Sequence, residues 1–79
     1  MEPGVAFGKV LRRLRLKAGL TQEELGFEAD VKRAYISILE LGQQQPTLTT
    51  ILKIADGLDR PAKYIIGLVE AELRKARGS

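Results

Sequence analysis

The stretch that most constrains this chain lies between residues 20 and 42, where two short amphipathic segments are separated by only a few residues. Thr21 precedes the first segment and Glu24 follows three residues later, which is the spacing of a capping box at a helix N-terminus. Apolar residues recur at helical spacing through both segments, at Leu25, Ala29, Val31, Ile36 and Leu39. Two helices joined by so short a turn must pack together, so the pattern predicts that they share one small core.

The remainder of the chain continues this helical pattern, and the sequence predicts an all-α fold of five helices without strands. The helices are expected to run from about Val5 to Ala18, from Gln22 to Ala29, from Arg33 to Leu41, from just after Thr47 to Leu58, and from near Pro61 to Lys75. Gly19 and Gly42 follow the first and third helices, where a left-handed residue often ends a helix, and Asp30 takes that place after the second. Thr47 is expected to cap the fourth helix, and residues 76–79 are expected to fray.

Composition limits both the stability and the chemistry of a chain of 79 residues. A single small domain, residues 1–79, has a marginal core, and the absence of Cys and His excludes disulfides and Cys/His metal sites. Helix packing and oligomerisation therefore remain as sources of stability. Without His or Cys, paired carboxylates or a Gly-rich phosphate loop there is no catalytic constellation, so we expect no enzyme, no cofactor and no small-molecule ligand. The absence of a signal peptide or a long apolar run predicts a cytoplasmic protein without membrane contact.

Charge is distributed unevenly along the chain, although its net value is only +3. Residues 9–17 hold five basic residues and no acid, whereas residues 18–31 hold four acids and no base. Lys9, Arg13 and Lys17 stand at successive i, i+4 positions, where like charges repel each other slightly. A phosphate backbone would relieve that repulsion, so the pattern indicates a positive face for nucleic acid; a solvated surface helix is the alternative.

Three motifs in this sequence resemble those of the lambda-repressor-like (XRE-type, Cro-like) helix-turn-helix transcriptional regulators. LTQEEL, YISILELG and PTLTTILKIADGL occur in that order and at the family's spacing, and the resemblance covers about residues 7–69. It implies a helix-turn-helix over about residues 22–41, with residues 33–41 in the major groove of double-stranded DNA, and a homodimer on a palindromic operator. Restriction-modification controller proteins, phage Cro-like repressors and antitoxins are members of suitable size. The rival from another class is a protein-interaction module with the same fold.

The resemblance also implies roles for individual residues. Base contacts are expected from the N-terminal and outward positions of the third helix, at Lys32, Arg33, Ala34, Ser37 and Ile38. Phosphate contacts are expected at Lys9, Arg12, Arg13, Gln22, Tyr35, Gln43 and Gln44. Arg33 is the best candidate for direct readout, because a guanidinium can bond both acceptors of a guanine. Arg15 and Glu40 are expected to form a structural ion pair between the first and third helices, as family members do.

The sequence departs from the family at three places. Lys32 stands where a capping Ser or Thr is common, and Asp30 replaces the glycine of the turn. Ile38 and Leu41 are apolar where family members usually carry polar or basic groups. The last departure indicates either contacts with thymine methyl groups or a face that meets a protein.

The fifth helix carries more apolar residues than a small core needs. A homodimer interface is therefore predicted at Tyr64, Ile65, Leu68, Val69 and Leu73. The alternative is that these side chains, together with Ile66, all pack inside the protomer.

Overall fold

The structure, a computed structural model, describes residues 1–78, and within that range it contains five α-helices and no strand. The helices are α1 (Pro3–Lys17), α2 (Gln22–Ala29), α3 (Arg33–Glu40), α4 (Leu48–Gly57) and α5 (Ala62–Gly78). The predicted all-α architecture is confirmed, and the bounds of α2 agree residue for residue. α1 begins earlier than predicted, because Pro3 in its first turn has no amide hydrogen to leave unbonded. α5 begins after Pro61 and continues to Gly78, so residues 76–78 are helical; Ser79 lies outside the described residues.

The caps and turns that the sequence predicts form at the helix termini. The capping box of α2 is formed, because the Thr21 hydroxyl accepts the Glu24 amide at 3.0 Å and the Glu24 carboxylate accepts the Thr21 amide at 2.8 Å. At α4 the Thr47 hydroxyl accepts the Thr50 amide at 3.1 Å. Backbone φ is positive at Gly19, Asp30 and Gly42, and also at Asp59. Lys32 makes no side-chain cap at the start of α3.

Side chains from all five helices build one core. α1 packs against α3 and α5, while α4 packs against α2 and α5. The largest fully buried side chains are Val10, Leu11, Leu25, Ile36, Leu39, Ile54 and Ile65. A helix of eight residues is marginal in isolation, so the position of α3 is set by the helices that pack around it. None of the helices in residues 1–78 is long and apolar enough to cross a membrane.

α1 crosses the last turn of α3 at Gly8, and the two backbones approach closely there. A Cβ atom on Gly8 would lie 2.4 Å from the carbonyl oxygen of Leu39 and 2.8 Å from that of Glu40. Both neighbours are backbone atoms, which cannot rotate away as a side chain can. The absence of a side chain at residue 8 therefore sets how closely α1 and α3 approach.

Candidate nucleic-acid interface

The turn between α2 and α3 is short and hydrogen-bonded back to α2. Asp30 adopts the left-handed conformation, with φ 57° and ψ 46°. The amide of Val31 donates to the carbonyl of Gly26 at 2.9 Å, which closes the end of α2. Lys32 is then extended, and α3 begins at Arg33. The side chain of Asp30 thus replaces the family's usual glycine without changing the left-handed turn, since Asp tolerates this conformation better than most residues.

The outer face of α3 is accessible, whereas its inner face is buried. Ile36 and Leu39 are fully buried in the core. The residues predicted to contact bases lie away from that inner face: Lys32, Arg33 and Ala34 are exposed, and Ser37 and Ile38 are half-buried. The structure therefore brings these five residues to one end and one side of α3. Their contact with DNA stays a prediction.

A buried polar cluster connects the start of α2 to α1 and α3. Arg15 donates from Nε to one Glu40 carboxylate oxygen at 2.6 Å and from a terminal nitrogen to the other at 3.0 Å. Arg15 also donates to the carbonyl of Leu20 at 2.9 Å, and Gln22 donates its side-chain amide to Glu40 at 3.1 Å. The hydrogen bond to Glu40 raises the pKa of Arg15, although burial acts in the opposite direction. Only 8% of the Arg15 side chain and 3% of the Glu40 side chain are exposed, so both charges depend on each other.

Gln22, which was expected to contact a phosphate, is thus also part of this cluster. It is the first residue of α2 and is half-buried, and its amide is held by the same carboxylate that holds Arg15. No local pattern indicates this bond, because Gln22 and Glu40 are 18 positions apart. The orientation of Gln22 is consequently fixed by the Arg15–Glu40 pair.

The basic residues of α1 differ in their contacts with the rest of the protein. Arg13 donates to Glu72 of α5 at 2.9 Å, and this hydrogen bond lowers the pKa of Glu72, with smaller contributions from the positive charges of Arg13, Lys75 and Lys9. The Glu72 carboxylate therefore offsets part of the positive charge on α1, and the phosphate contacts of Lys9 and Arg13 stay a prediction. Arg12 is exposed and lies one turn after Gly8, on the side of α1 that crosses α3.

The remaining residues predicted to contact phosphate are Gln43 and Gln44, in the loop after α3, and Tyr35. Gln43 and Gln44 are exposed, and the carbonyl of Gln44 lies beside the start of α1, 3.6 Å from where a Cβ of Gly4 would be. Tyr35 is half-buried and packs against the core. The contact of these three residues with phosphate stays a prediction.

The predicted dimer residues divide into two groups. Ile65 and Val69 are 1% and 8% exposed and belong to the internal core, so their prediction as interface residues is wrong. Leu68 and Leu73 are half-buried against the same core. Only Tyr64 is substantially exposed, at 40%, with the Arg60 guanidinium 5.7 Å from the centre of its ring. Ile65 and Val69 are buried because α1 and α4 both pack against α5.

Three apolar side chains of α4 and α5 are exposed to solvent in the protomer. Leu48 and Leu52 of α4 are 72% and 53% exposed, and Ile66 of α5 is 37% exposed. Leu48 and Leu52 are separated by one helical turn, and Ile51 beside them lines a shallow cavity together with Ile66. We call Leu48, Leu52 and Ile66 the α4–α5 surface. The i, i+4 spacing of the two leucines was the only signal for it in the sequence.

The acidic residues that follow α1 do not form a metal site. Glu24 is engaged in the cap of α2. Within residues 1–78, no group of three or more His, Cys, Asp or Glu side chains could hold a metal ion.

A large apolar side chain on α2 is also exposed, since Phe27 has 85% of its surface accessible to solvent.

Comparisons with known proteins agree on the class of this fold. The model of the family described as "Helix-turn-helix" matches residues 11–65. The control protein C.BamHI of Bacillus amyloliquefaciens is 43% identical over 61 residues, which are 76% of this chain and 75% of that protein. The crystal structure of the restriction-modification controller protein C.AhdI from Aeromonas hydrophila has 40% identity and a TM-score of 0.76, covering 78% of this chain and 94% of that one. The wild-type controller protein C.Esp1396I is 25% identical, with a TM-score of 0.86 over 95% of this chain and 97% of that one.

Proposed function

This chain belongs to the helix-turn-helix family, and from that premise we propose that it is a sequence-specific DNA-binding transcriptional regulator of the restriction-modification controller type. The observation that carries the proposal is the contrast between the two sides of α3. Its inner side and the start of α2 are held by the buried Arg15–Glu40 pair, while its N-terminal and outer residues are accessible. A rigid helix with a free outer face can enter the major groove of duplex DNA. Such a regulator acts in the cytoplasm, where bacterial DNA lies.

Affinity would come from basic residues around α3, and specificity from α3 itself. Lys32 and Arg33 are exposed at the N-terminal end of α3, and Arg12 is exposed on the side of α1 that crosses it. Positive charges placed there neutralise phosphates on either side of the groove and release condensed counterions. Arg33 stands close enough to the helix start to reach a base edge, where its two parallel donors suit the N7 and O6 acceptors of guanine.

The active form in this proposal is a homodimer on a palindromic operator. A second copy related by a two-fold axis would cover the α4–α5 surface, whose three apolar side chains are exposed in the protomer. This placement replaces the interface predicted at Ile65 and Val69, which are inside the protomer. Two recognition helices arranged in this way would read half-sites about 34 Å apart, one turn of the duplex.

Selection of random duplexes by the purified protein tests the proposal. We expect an enriched inverted repeat whose binding weakens with salt, by about 0.9 in the negative log–log slope for each phosphate contact. A Lys32→Ala/Arg33→Ala variant is the matched control, because both side chains are exposed and their removal leaves the core intact. The absence of an enriched sequence, together with no duplex binding at low salt, would overturn the proposal.

One observation favours the second candidate, a protein-interaction module with the same fold, which includes an antitoxin. Leu41 is 66% exposed at the end of the outer face of α3, where a DNA-reading helix usually carries polar groups. A module of this kind would fail the duplex selection while remaining folded. The same experiment therefore separates the two candidates.

A further inference from the structure

The outer face of α3 carries an uninterrupted apolar stripe. Ala34, Ile38 and Leu41 follow each other at i, i+4 and i+7, which places them along one line of the helix surface. Ala34 is exposed, Ile38 is half-buried and Leu41 is 66% exposed. Leu41 follows the last residue of α3 but keeps helical dihedral angles, with φ −80° and ψ −4°, so the line continues through it. We call these three residues the apolar stripe.

Side chains without polar atoms can distinguish very few features of a major groove. They cannot hydrogen-bond the acceptors or donors of a base edge, but they can pack against the methyl group on C5 of thymine. We propose that the apolar stripe reads C5-methyl groups of pyrimidines, so that the operator carries thymines beneath Ala34, Ile38 and Leu41. This inference rests on the proposed function and specifies which part of the DNA α3 recognises.

The surroundings of the stripe favour DNA over a protein as its occupant. Lys32 and Arg33 stand at its N-terminal end and Ser37 stands beside Ile38, so basic and polar groups border the apolar line. Basic groups bordering a narrow apolar line complement the phosphates that border the bases of a groove. A stable protein interface buries about 800 Å² on each partner, through roughly 20–30 residues, and three side chains supply only a small part of that area.

Replacing thymine by deoxyuridine in the selected operator tests methyl readout directly. Deoxyuridine keeps the pairing and the O4 acceptor of thymine and removes only the methyl group. Burial of one such group corresponds to about 0.8 kcal/mol, which is about fourfold in affinity. We expect a loss of about 15-fold when one methyl beneath the stripe is removed from each of the two half-sites. Deoxyuridine at thymines outside the half-sites is the control and should leave affinity unchanged.

Protein variants assign the effect to the stripe. Ile38→Ala should lose the preference for thymine over deoxyuridine at the base beneath residue 38. Leu41→Ala, at a mostly exposed position, should do the same at the base beneath residue 41 and provides a second test if Ile38→Ala is unstable. Arg33→Ala should weaken binding to the thymine and deoxyuridine duplexes by the same factor and so preserve the thymine preference. When cytosine replaces the thymine, the protein should bind a duplex with 5-methylcytosine at that position more tightly than one with unmodified cytosine.

The failures of this experiment have two different meanings. A protein that selects an operator but binds its thymine and deoxyuridine forms equally overturns methyl readout and leaves the proposed function standing. So does a thymine preference that persists in Ile38→Ala and in Leu41→Ala at the base beneath the replaced residue. A protein that binds no duplex overturns the proposed function itself.

Discussion

Glu40 is the residue on which the relative placement of three helices depends. Its carboxylate, 3% exposed, accepts two hydrogen bonds from Arg15 of α1 and one from Gln22 of α2. A buried pair of this kind fixes geometry more reliably than it adds stability, because desolvation offsets much of the attraction between the charges. Its value to a DNA-binding protein is the fixed orientation of α3 against α1 and of Gln22 at the start of α2.

Glu40→Ala should therefore destabilise the protein strongly, since it leaves the Arg15 guanidinium buried without its partner. Loss of one member of a buried pair costs about 3–5 kcal/mol. Glu40→Gln, which retains a hydrogen-bond acceptor of the same shape, should lower the melting temperature less. In urea unfolding, the double variant Arg15→Ala/Glu40→Ala should be no less stable than Glu40→Ala alone. Strictly additive losses would show that the two residues do not interact.

Arg33 and Arg12 allow base readout to be separated from phosphate binding. Arg33→Ala should weaken operator binding by roughly 1–3 kcal/mol and relax the preference at one base position in each half-site. Arg12→Ala should weaken binding to operator and random DNA alike and reduce the salt slope by about 1. Titrations of both variants on both duplexes over a salt series measure this. Equal losses on both duplexes for Arg33→Ala would mean that α3 does not read sequence through this residue.

Arg13 is unsuitable for that comparison because of its contact with α5. Its guanidinium donates to Glu72, so a substitution at residue 13 removes a contact between α1 and α5 as well as a positive charge. Any loss of DNA affinity in Arg13→Ala would then combine two causes. Arg12 avoids this difficulty, because it is exposed and lies one turn after Gly8, on the side of α1 that crosses α3.

At the scale of elements, the distance between α1 and α3 depends on a single absent side chain. In Gly8→Ala the new Cβ would meet the backbone carbonyls of Leu39 and Glu40 at 2.4 and 2.8 Å, so the helices must separate. Overpacking of this kind costs about 1–3 kcal/mol, occasionally more. Because α3 moves relative to α1, operator affinity should fall as well as the melting temperature.

Gly67→Ala is the matched control for this substitution. Gly67 lies within α5, and nothing stands within 4 Å of a Cβ built there. Alanine is the better helix former, so Gly67→Ala should raise stability by roughly 0.5–1 kcal/mol. A Gly8→Ala protein as stable as Gly67→Ala, measured in the same thermal scan, would contradict the close approach of α1 and α3.

At the scale of the whole molecule, the α4–α5 surface predicts the assembly. Leu52→Glu places a charge in the proposed seam at a residue that is already 53% exposed, so the protomer should stay helical while the dimer dissociates. Leu68→Glu would be ambiguous, because Leu68 packs against the core and its substitution would also destabilise the protomer. Phe27→Glu, at an 85% exposed position on α2, is the control that should leave the dimer intact.

Sedimentation and circular dichroism of the three proteins decide the matter. The wild type and Phe27→Glu should sediment as dimers at tens of micromolar, on the order of concentrations at which weak dimers form. Leu52→Glu should sediment as a helical monomer and bind the operator far more weakly, because each half-site is then bound separately. A monomeric wild type, or a dimeric Leu52→Glu, would place the interface elsewhere.

The sequence by itself determined those features that depend on neighbouring residues. Thr21 and Glu24 are three residues apart, and their capping box forms wherever the chain enters a helix with that pattern. The left-handed turn at Asp30 and the bounds of α2 follow from similarly local interactions. The family motifs implied the Arg15–Glu40 pair, whose 25-residue separation gives no local signal.

Only the tertiary structure decided which side of each helix faces the interior. Apolar periodicity gave α5 more apolar residues than one face holds, but Ile65 and Val69 are buried because α1 and α4 pack over them. Leu52 is exposed for the corresponding reason, since the core side of α4 is filled by Ile54 and Ala55. The bond between Arg13 and Glu72 joins residues 59 positions apart, and no pattern within one helix can predict it. Packing of one helix on another depends on the shape of both, and a one-dimensional pattern records only one of them at a time.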